Sequence, residues 1–330
     1  MKTRIFRIKS IVGCIISCVL LLSVAASAFA VREEGFLELD NGNRLHYISK
    51  GKKGAPLVLF IHGAPERAEV WEEYLSYFGH YYYSVAYTSR GYFPSSIPQG
   101  VEEYTTDKLA EDAVAVAAKL GYDSFTLVGH DWGASTVWQV AIRFPEKVER
   151  MVTMATPHPI VYTRGYHESE AHAAALDGYI PLIRNGLVPW TVEGVLSDNV
   201  AFFKEYVYSE RSLNRVPWAL GIDLEETWRF NDGESLEALF NHYRALNWPL
   251  AYIPNCSVIP DPNYVIKQPV LMVYGEKDRF VSSEVYDLPN NDCTPNIQYL
   301  SYPKGGHFIQ HEYKWSIMAQ MKAFFEETQQ

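Results

Sequence analysis

The chain of 330 residues has little cysteine, a deficit of basic charge and few long apolar runs. Each shortage removes a class of protein. Its four cysteines, Cys14, Cys18, Cys256 and Cys293, include no Cys-x-x-Cys pair. A structural thiolate zinc site is therefore not expected. Lys and Arg number 29 against 39 Asp and Glu, a formal charge of −10. That balance argues against nucleic acid or an anionic membrane surface as a partner. Beyond residue 30, no apolar stretch approaches the ~20 residues that a spanning helix needs. Internal repeats and low-complexity tracts are also missing.

The first thirty residues follow a different plan. "MKTRIFRIKS" carries Lys2, Arg4, Arg7 and Lys9, "IVGCIISCVLLLSVAA" follows, and Ala28-Phe29-Ala30 ends the segment. A basic n-region, an apolar h-region and small residues at an A-x-A site predict a signal peptide over 1–30. The expectation is an exported protein, periplasmic or secreted, that no longer contacts the membrane after cleavage. Its charge would be 25 − 39 = −14, because the leader holds four basic and no acidic residues. Cys256 and Cys293 would remain, as a disulfide or as two thiols. The 23 Tyr and 8 Trp exceed what a plain core needs, and amphipathic rings of this kind line pockets.

Along the remaining chain, strand and helix patterns alternate. "FLELDNGNRLHYIS" has a hairpin signal at Asp40-Asn41-Gly42. "PLVLFI" and "HYYYSVAYTSRGY" read as strands buried on both faces of a parallel sheet. "TTDKLAEDAVAVAAKLGYD" reads as a helix with Leu109, Ala113, Val116 and Leu120 on one face. Thr106 or Asp107 would cap it, and Gly121 would end it. The strand "SFTLVG" runs into the helix "WGASTVWQVAIRF", stopped by Pro145, and the strand "VERMVTMAT" follows. After Thr156 the rhythm breaks. Aromatic-rich helical stretches fill 159–256, and the strands "PVLMVYG" and "NIQYLSYP" then return. The prediction is an α/β fold: a mostly parallel, doubly wound sheet with helices on both faces. Its core is split into 31–158 and 257–330 by a helical cap at 159–256.

One turn carries the chemistry. "LVGHDWGAS" places Asp131 between Gly129 and Gly133, where a strand meets a helix. In the Gly-x-Ser-x-Gly elbow this geometry lifts a nucleophile above the sheet. "FIHGAP" follows a buried strand and offers the backbone N–H of Ala64 as one oxyanion donor. Trp132, the residue after the nucleophile, offers the other. "VYGEKD" puts Asp278 past a later strand, and "PKGGHF" puts His307 in the loop after the last one. The order nucleophile, acid, base is that of the α/β-hydrolase triad. The position after "VERMVTM" is Ala155, so Asp278 has no rival acid. "YHESEAH" lacks the spacing of a His-Glu-x-x-His zinc site and reads as a solvated cap helix. "YYY" at 81–83 reads as buried strand. The side chains of His62 and Trp132 are expected at the substrate pocket.

"HGAPE", "TSRGY", "GHDWGAS", "MATPHP", "NHYRALN", "GEKD" and "GGHF" together resemble the α/β-hydrolase-fold epoxide hydrolases, from about Gly35 to Phe325. The elbow alone is shared with haloalkane dehalogenases. The resemblance implies an aspartate that opens an epoxide and an alkyl-enzyme ester that histidine-activated water hydrolyses to a vicinal diol. It also implies two cap residues, usually tyrosines, that donate to the epoxide oxygen. "NHYRALN" matches the second at Tyr243. The first falls at Tyr179, with His172 or His167 as alternatives. Many dehalogenases carry asparagine where this chain has Ala64, and epoxide hydrolases often carry an aromatic there. Ala64 would widen the pocket floor. The implied partners are a small epoxide and water, with no metal or organic cofactor. The aromatic cap also offers a surface for a homodimer. Two other readings stay open: a haloalkane dehalogenase, and a secreted signalling or binding protein on a hydrolase scaffold.

Overall fold

A computed structural model describes residues 31–197, 201–208, 233–289 and 292–329. The expected signal peptide lies outside them. An eight-stranded sheet runs in the order β1-β2-β4-β3-β5-β6-β7-β8. Its strands are β1 (Glu33–Glu38), β2 (Arg44–Lys50), β3 (Leu57–Ile61), β4 (Tyr83–Tyr87), β5 (Phe125–His130), β6 (Val148–Met154), β7 (Val270–Gly275) and β8 (Ile297–Tyr302). β1 and β2 are joined through the turn at Asn41-Gly42 and pair antiparallel, as do β2 and β4. The other neighbours are parallel.

The strict alternation of side chains along a strand explains the layering. Leu57, Leu59 and Ile61 point to one face, where they pack with Ala113, Val116, Val137 and Trp138 of the helices Thr106–Lys119 (α2) and Trp132–Arg143 (α3). Val58 and Phe60 point to the other, against Leu75 and Phe78 of Glu72–Phe78 (α1) and Met318, Met321 and Phe325 of Lys314–Glu327. Both faces are thus covered, which is why the central strands are apolar throughout rather than alternating.

Between β6 and β7 the described residues form no strand. Helices run over Pro159–Glu168, Glu170–Asp177, Ile180–Arg184, Val192–Leu196, Ala201–Tyr208 and Gly233–Arg244. A separate apolar cluster, including Leu176, Ile183, Trp190, Phe203, Leu239 and Phe240, joins this cap to Ala64, Trp132 and Phe308 of the core. The cap therefore closes over the ends of β3 and β5. No helix among the described residues is long and apolar enough to cross a membrane.

Local expectations fail at three places. The cap of α2 is Thr105, whose side chain accepts from the Lys108 N–H, one residue before the predicted position. Its extended backbone frees the hydroxyl for that bond. "YYY" is not wholly strand: β4 starts at Tyr83, and Tyr81 is 57% exposed in the preceding turn. "YHESEAH" is not one solvated helix. Ser169 ends one helix and caps the next, and His172 is fully buried. Cys256 and Cys293 form a disulfide, with Cα atoms 5.2 Å apart.

Candidate active site

β5 enters α3 through Asp131, whose backbone sits at φ 52° and ψ −118°. A non-glycine residue at positive φ stores about 1–3 kcal/mol of strain that the surroundings must hold. They do so through three hydrogen bonds. The Asp131 N–H donates to the Met154 carbonyl at 3.1 Å. Its carbonyl accepts from the Ser135 N–H at 3.0 Å and the Thr156 hydroxyl at 3.2 Å. The flanking glycines are sterically required. A Cβ on Gly133 would lie 2.1 Å from the Ile61 carbonyl oxygen, and one on Gly129 would lie 2.4 Å from that of Gly133.

The carboxylate raised by this turn meets the loop after β3. The Ala64 N–H donates to Asp131 Oδ1 at 2.7 Å, and the Trp132 N–H also hydrogen-bonds the carboxylate. His62 does not line the cavities at Asp131, contrary to expectation. Its Nδ1–H donates to the Gly63 carbonyl, and Nε2 accepts from the Ser89 N–H, each at 2.9 Å. It holds the donor loop in place. Burial lowers its pKa to about 4, so the ring is neutral.

On the other side stand Asp278 and His307. Asp278 Oδ1 accepts from the Phe280 and Val281 N–H groups at 2.7 and 3.0 Å. Oδ2 is left to receive the His307 Nδ1–H at 2.7 Å. This fixes the ring, with Nε2 3.5 Å from Asp131 Oδ2. Burial pushes the His307 imidazole down, but the Asp278 carboxylate and the bonds to both aspartates raise its pKa to about 10. Burial likewise disfavours the Asp131 charge, yet His307 and the Trp132 N–H hold that carboxyl below its ordinary value. The resting pair is therefore a carboxylate beside an imidazolium.

Tyr179 and Tyr243 come from the cap. Both line a cavity with Asp131 and His307, and their rings meet edge to face, centroids 5.8 Å apart. Burial first, then neighbouring tyrosines and the Asp131 charge, raise both phenols well above their usual pKa. They are protonated donors at neutral pH. Neither histidine alternative reaches this cavity. His167 is exposed, with Nε2 2.7 Å from the Leu250 carbonyl oxygen. His172 is buried against Tyr162, ring centroids 5.0 Å apart. The Trp132 ring packs edge to face on Tyr243 at 5.2 Å. It lines a second cavity of about 190 Å³, together with Asp131 and both tyrosines.

Sequence reasoning missed Tyr162, which lines that second cavity. It also missed Phe280, which packs on both Tyr179 and His307. For Phe280 a signal existed, since the residue two after a buried turn acid lies beside that acid's partner. Tyr162 offered none, because helix phase in a cap with no repeat does not show which face meets the core.

A carboxylate held between backbone donors, a histidine at its edge and two phenols across a cavity suit displacement at an sp³ carbon with proton delivery to the leaving oxygen. The comparisons agree. Residues 56–313 match the family model for the alpha/beta hydrolase fold. Epoxide hydrolase 3 of Mus musculus is 31% identical over 84% of this chain and 74% of its own length. Epoxide hydrolase 4 of Homo sapiens is 28% identical, over 83% and 73%. The crystal structure of a Bacillus megaterium epoxide hydrolase in complex with an inhibitor superposes with a TM-score of 0.76 at 27% identity. It covers 88% of this chain and 100% of that one.

Proposed function

Given that this chain belongs to the α/β-hydrolase-fold family, and within it to the epoxide hydrolases, we propose that Asp131 is the nucleophile, His307 the base and Asp278 its orienting acid. Tyr179 and Tyr243 are the donors to the epoxide oxygen. The carrying observation is the cavity that brings Asp131, Tyr179, Tyr243 and His307 together.

In the first step an Asp131 oxygen attacks an epoxide carbon, and the C–O bond to the ring oxygen breaks. The alkoxide takes a proton from a tyrosine, leaving a tyrosinate and a neutral alkyl ester. Loss of the Asp131 charge removes one of the two groups that hold the His307 proton. That proton then restores the phenol, and His307 becomes neutral when a base is needed. In the second step His307 Nε2 removes a proton from water, whose oxygen attacks the ester carbonyl. The oxyanion forms against the Ala64 and Trp132 N–H groups. Collapse releases the diol, with one water consumed and the imidazolium–carboxylate pair regenerated.

A carboxylate also displaces halide, so the test is a matched substrate panel. Vicinal diol from styrene oxide, with no halide released from 1-bromobutane, is the expected outcome. Halide release without diol formation would overturn the proposal.

We further propose that the protein is exported. The basic-then-apolar leader with its A-x-A site supports this reading, as does the Cys256–Cys293 bridge, which suits an oxidising compartment. Secretion or periplasmic retention of a tagged full-length chain, lost when the A-x-A residues are made bulky, would test it.

A further inference from the structure

Beneath the proposed catalytic residues lies a second set of polar side chains that the mechanism does not use. Glu66 is fully buried two residues after Ala64, where its N–H closes a turn onto the Gly63 carbonyl. Its Oε1 lies 2.5 Å from His311 Nε2, and its Oε2 accepts from Gln310 Nε2 at 3.0 Å. The same Gln310 nitrogen is 3.1 Å from His130 Nδ1. His130 Nε2 is 2.9 Å from the backbone carbonyl of His307. Four links thus join the oxyanion loop, the residue before Asp131 and the loop that carries His307.

The chemistry of the donors fixes every orientation in this chain. A carboxylate only accepts, so Gln310 must turn its NH₂ toward Glu66. The second proton of that NH₂ then faces His130 Nδ1, which must accept. Burial, followed by the charge of His307, holds His130 at a pKa of about 4, so its ring carries a single proton. That proton is forced to Nε2, where it donates to the His307 carbonyl. Each step leaves one choice, because an amide or imidazole turned the other way would leave buried atoms of like polarity in contact.

We propose that Glu66 is a positioning residue which, through Gln310 and the tautomer of His130, sets the His307 loop and the Ala64 donor for hydrolysis of the ester intermediate. Ester hydrolysis needs His307 to aim at water and Ala64 to face the oxyanion. Alkylation uses the Ala64 N–H as well, through its bond to Asp131 Oδ1, but Asp131 keeps backbone bonds of its own and the proton comes from tyrosines that belong to the cap. Disturbing the chain therefore slows the second step far more than the first. Small misplacement of a base costs up to roughly 10²-fold.

This inference rests on the ester mechanism proposed above, and the test separates the two. Wild type, Glu66→Gln and Gln310→Met are mixed with styrene oxide, quenched on the millisecond scale and weighed intact. An adduct on Asp131 in wild type tests the mechanism itself. Its absence there would remove the mechanism and with it the ground for this proposal. Given that adduct, both variants should form it at a rate within about threefold of wild type but hydrolyse it roughly 10- to 10²-fold more slowly. In nitrogen-15 spectra His130 should carry its proton on Nε2 in wild type and lose that single-tautomer signature in Glu66→Gln. Parallel loss of both steps, or unchanged hydrolysis in variants that retain the wild-type melting temperature, would overturn the proposal. Gln310→Met keeps volume and leaves Glu66 in place, so it decides the matter if Glu66→Gln fails to fold.

Discussion

Asp131, Asp278 and His307 sit on strand ends, while Tyr179 and Tyr243 reach the same cavity from the cap. The two regions are held differently. The two core carboxylates are fixed by backbone N–H groups, and His307 by the Asp278 carboxylate. Asp278 takes two N–H donors from its own turn, and Asp131 takes one from the loop after β3. The cap tyrosines are placed mainly by ring packing, Tyr179 on Phe280 and Tyr243 on Trp132, with one side-chain hydrogen bond each, to Tyr162 and Trp132. Hydrogen-bonded turns have one geometry, whereas ring contacts admit several. In the proposed reaction the core carries the nucleophile and base, and the cap carries the donors to the leaving oxygen.

Breaking the core side should give the largest effects. Asp278→Asn leaves the shape intact but no longer stabilises the His307 proton or fixes its tautomer. Ester hydrolysis should fall roughly 10³- to 10⁴-fold, with the adduct accumulating in rapid-quench mass spectrometry. The same variant carries a pH signature. A histidine whose folded pKa is raised to about 10 contributes stability that is fully present below its unfolded value of about 6.5. That contribution is lost as pH rises through the folded value. Wild type should therefore lose stability between about pH 6.5 and 10 more steeply than Asp278→Asn, as denaturant midpoints would reveal.

Breaking the cap side should cost less and strike the other step. Tyr179→Phe and Tyr243→Phe should each slow alkylation by about 10- to 10²-fold, and the double variant by up to roughly 10⁴-fold, the range for lost general-acid catalysis. Hydrolysis of the preformed ester should change little. His172→Leu and His167→Ala should leave alkylation within about twofold, because neither ring reaches the cavity.

The smallest effect on activity is expected at the disulfide. The Cys256–Cys293 disulfide ties the end of the cap segment to the loop before β8. Replacing both cysteines with serine should lower stability by about 2–4 kcal/mol, with kcat/KM near wild type at 25 °C. A change in KM larger than that in stability would show that the bridge shapes the cavity.

The same contrast decides what was legible in the sequence. Asp131 was readable because its turn demands Gly129 and Gly133. Asp278 and His307 were readable because each follows a strand of the sheet in fixed chain order. Sheet, two-sided helix layers and inserted cap followed from apolar runs and their interruption. Tyr243 and Tyr179 needed a motif resemblance, since nothing local orients a phenol on a cap helix. The His62 role was misread because a histidine beside an oxyanion loop looks the same on paper whether it faces substrate or backbone. Its two backbone bonds are set by Gly63 and by Ser89, which is distant in the chain. Glu66 and Gln310 stayed hidden for a related reason: they meet across 244 residues of sequence.

The central claim is that Asp131 forms an ester which water opens at its carbonyl carbon. Single-turnover reaction with styrene oxide in ¹⁸O-water tests it directly. The expected result is label in the carboxylate of Asp131 and unlabelled diol in the first turnover, with no adduct and no turnover in Asp131→Ala. Label appearing first in the diol, with none in Asp131, would contradict it.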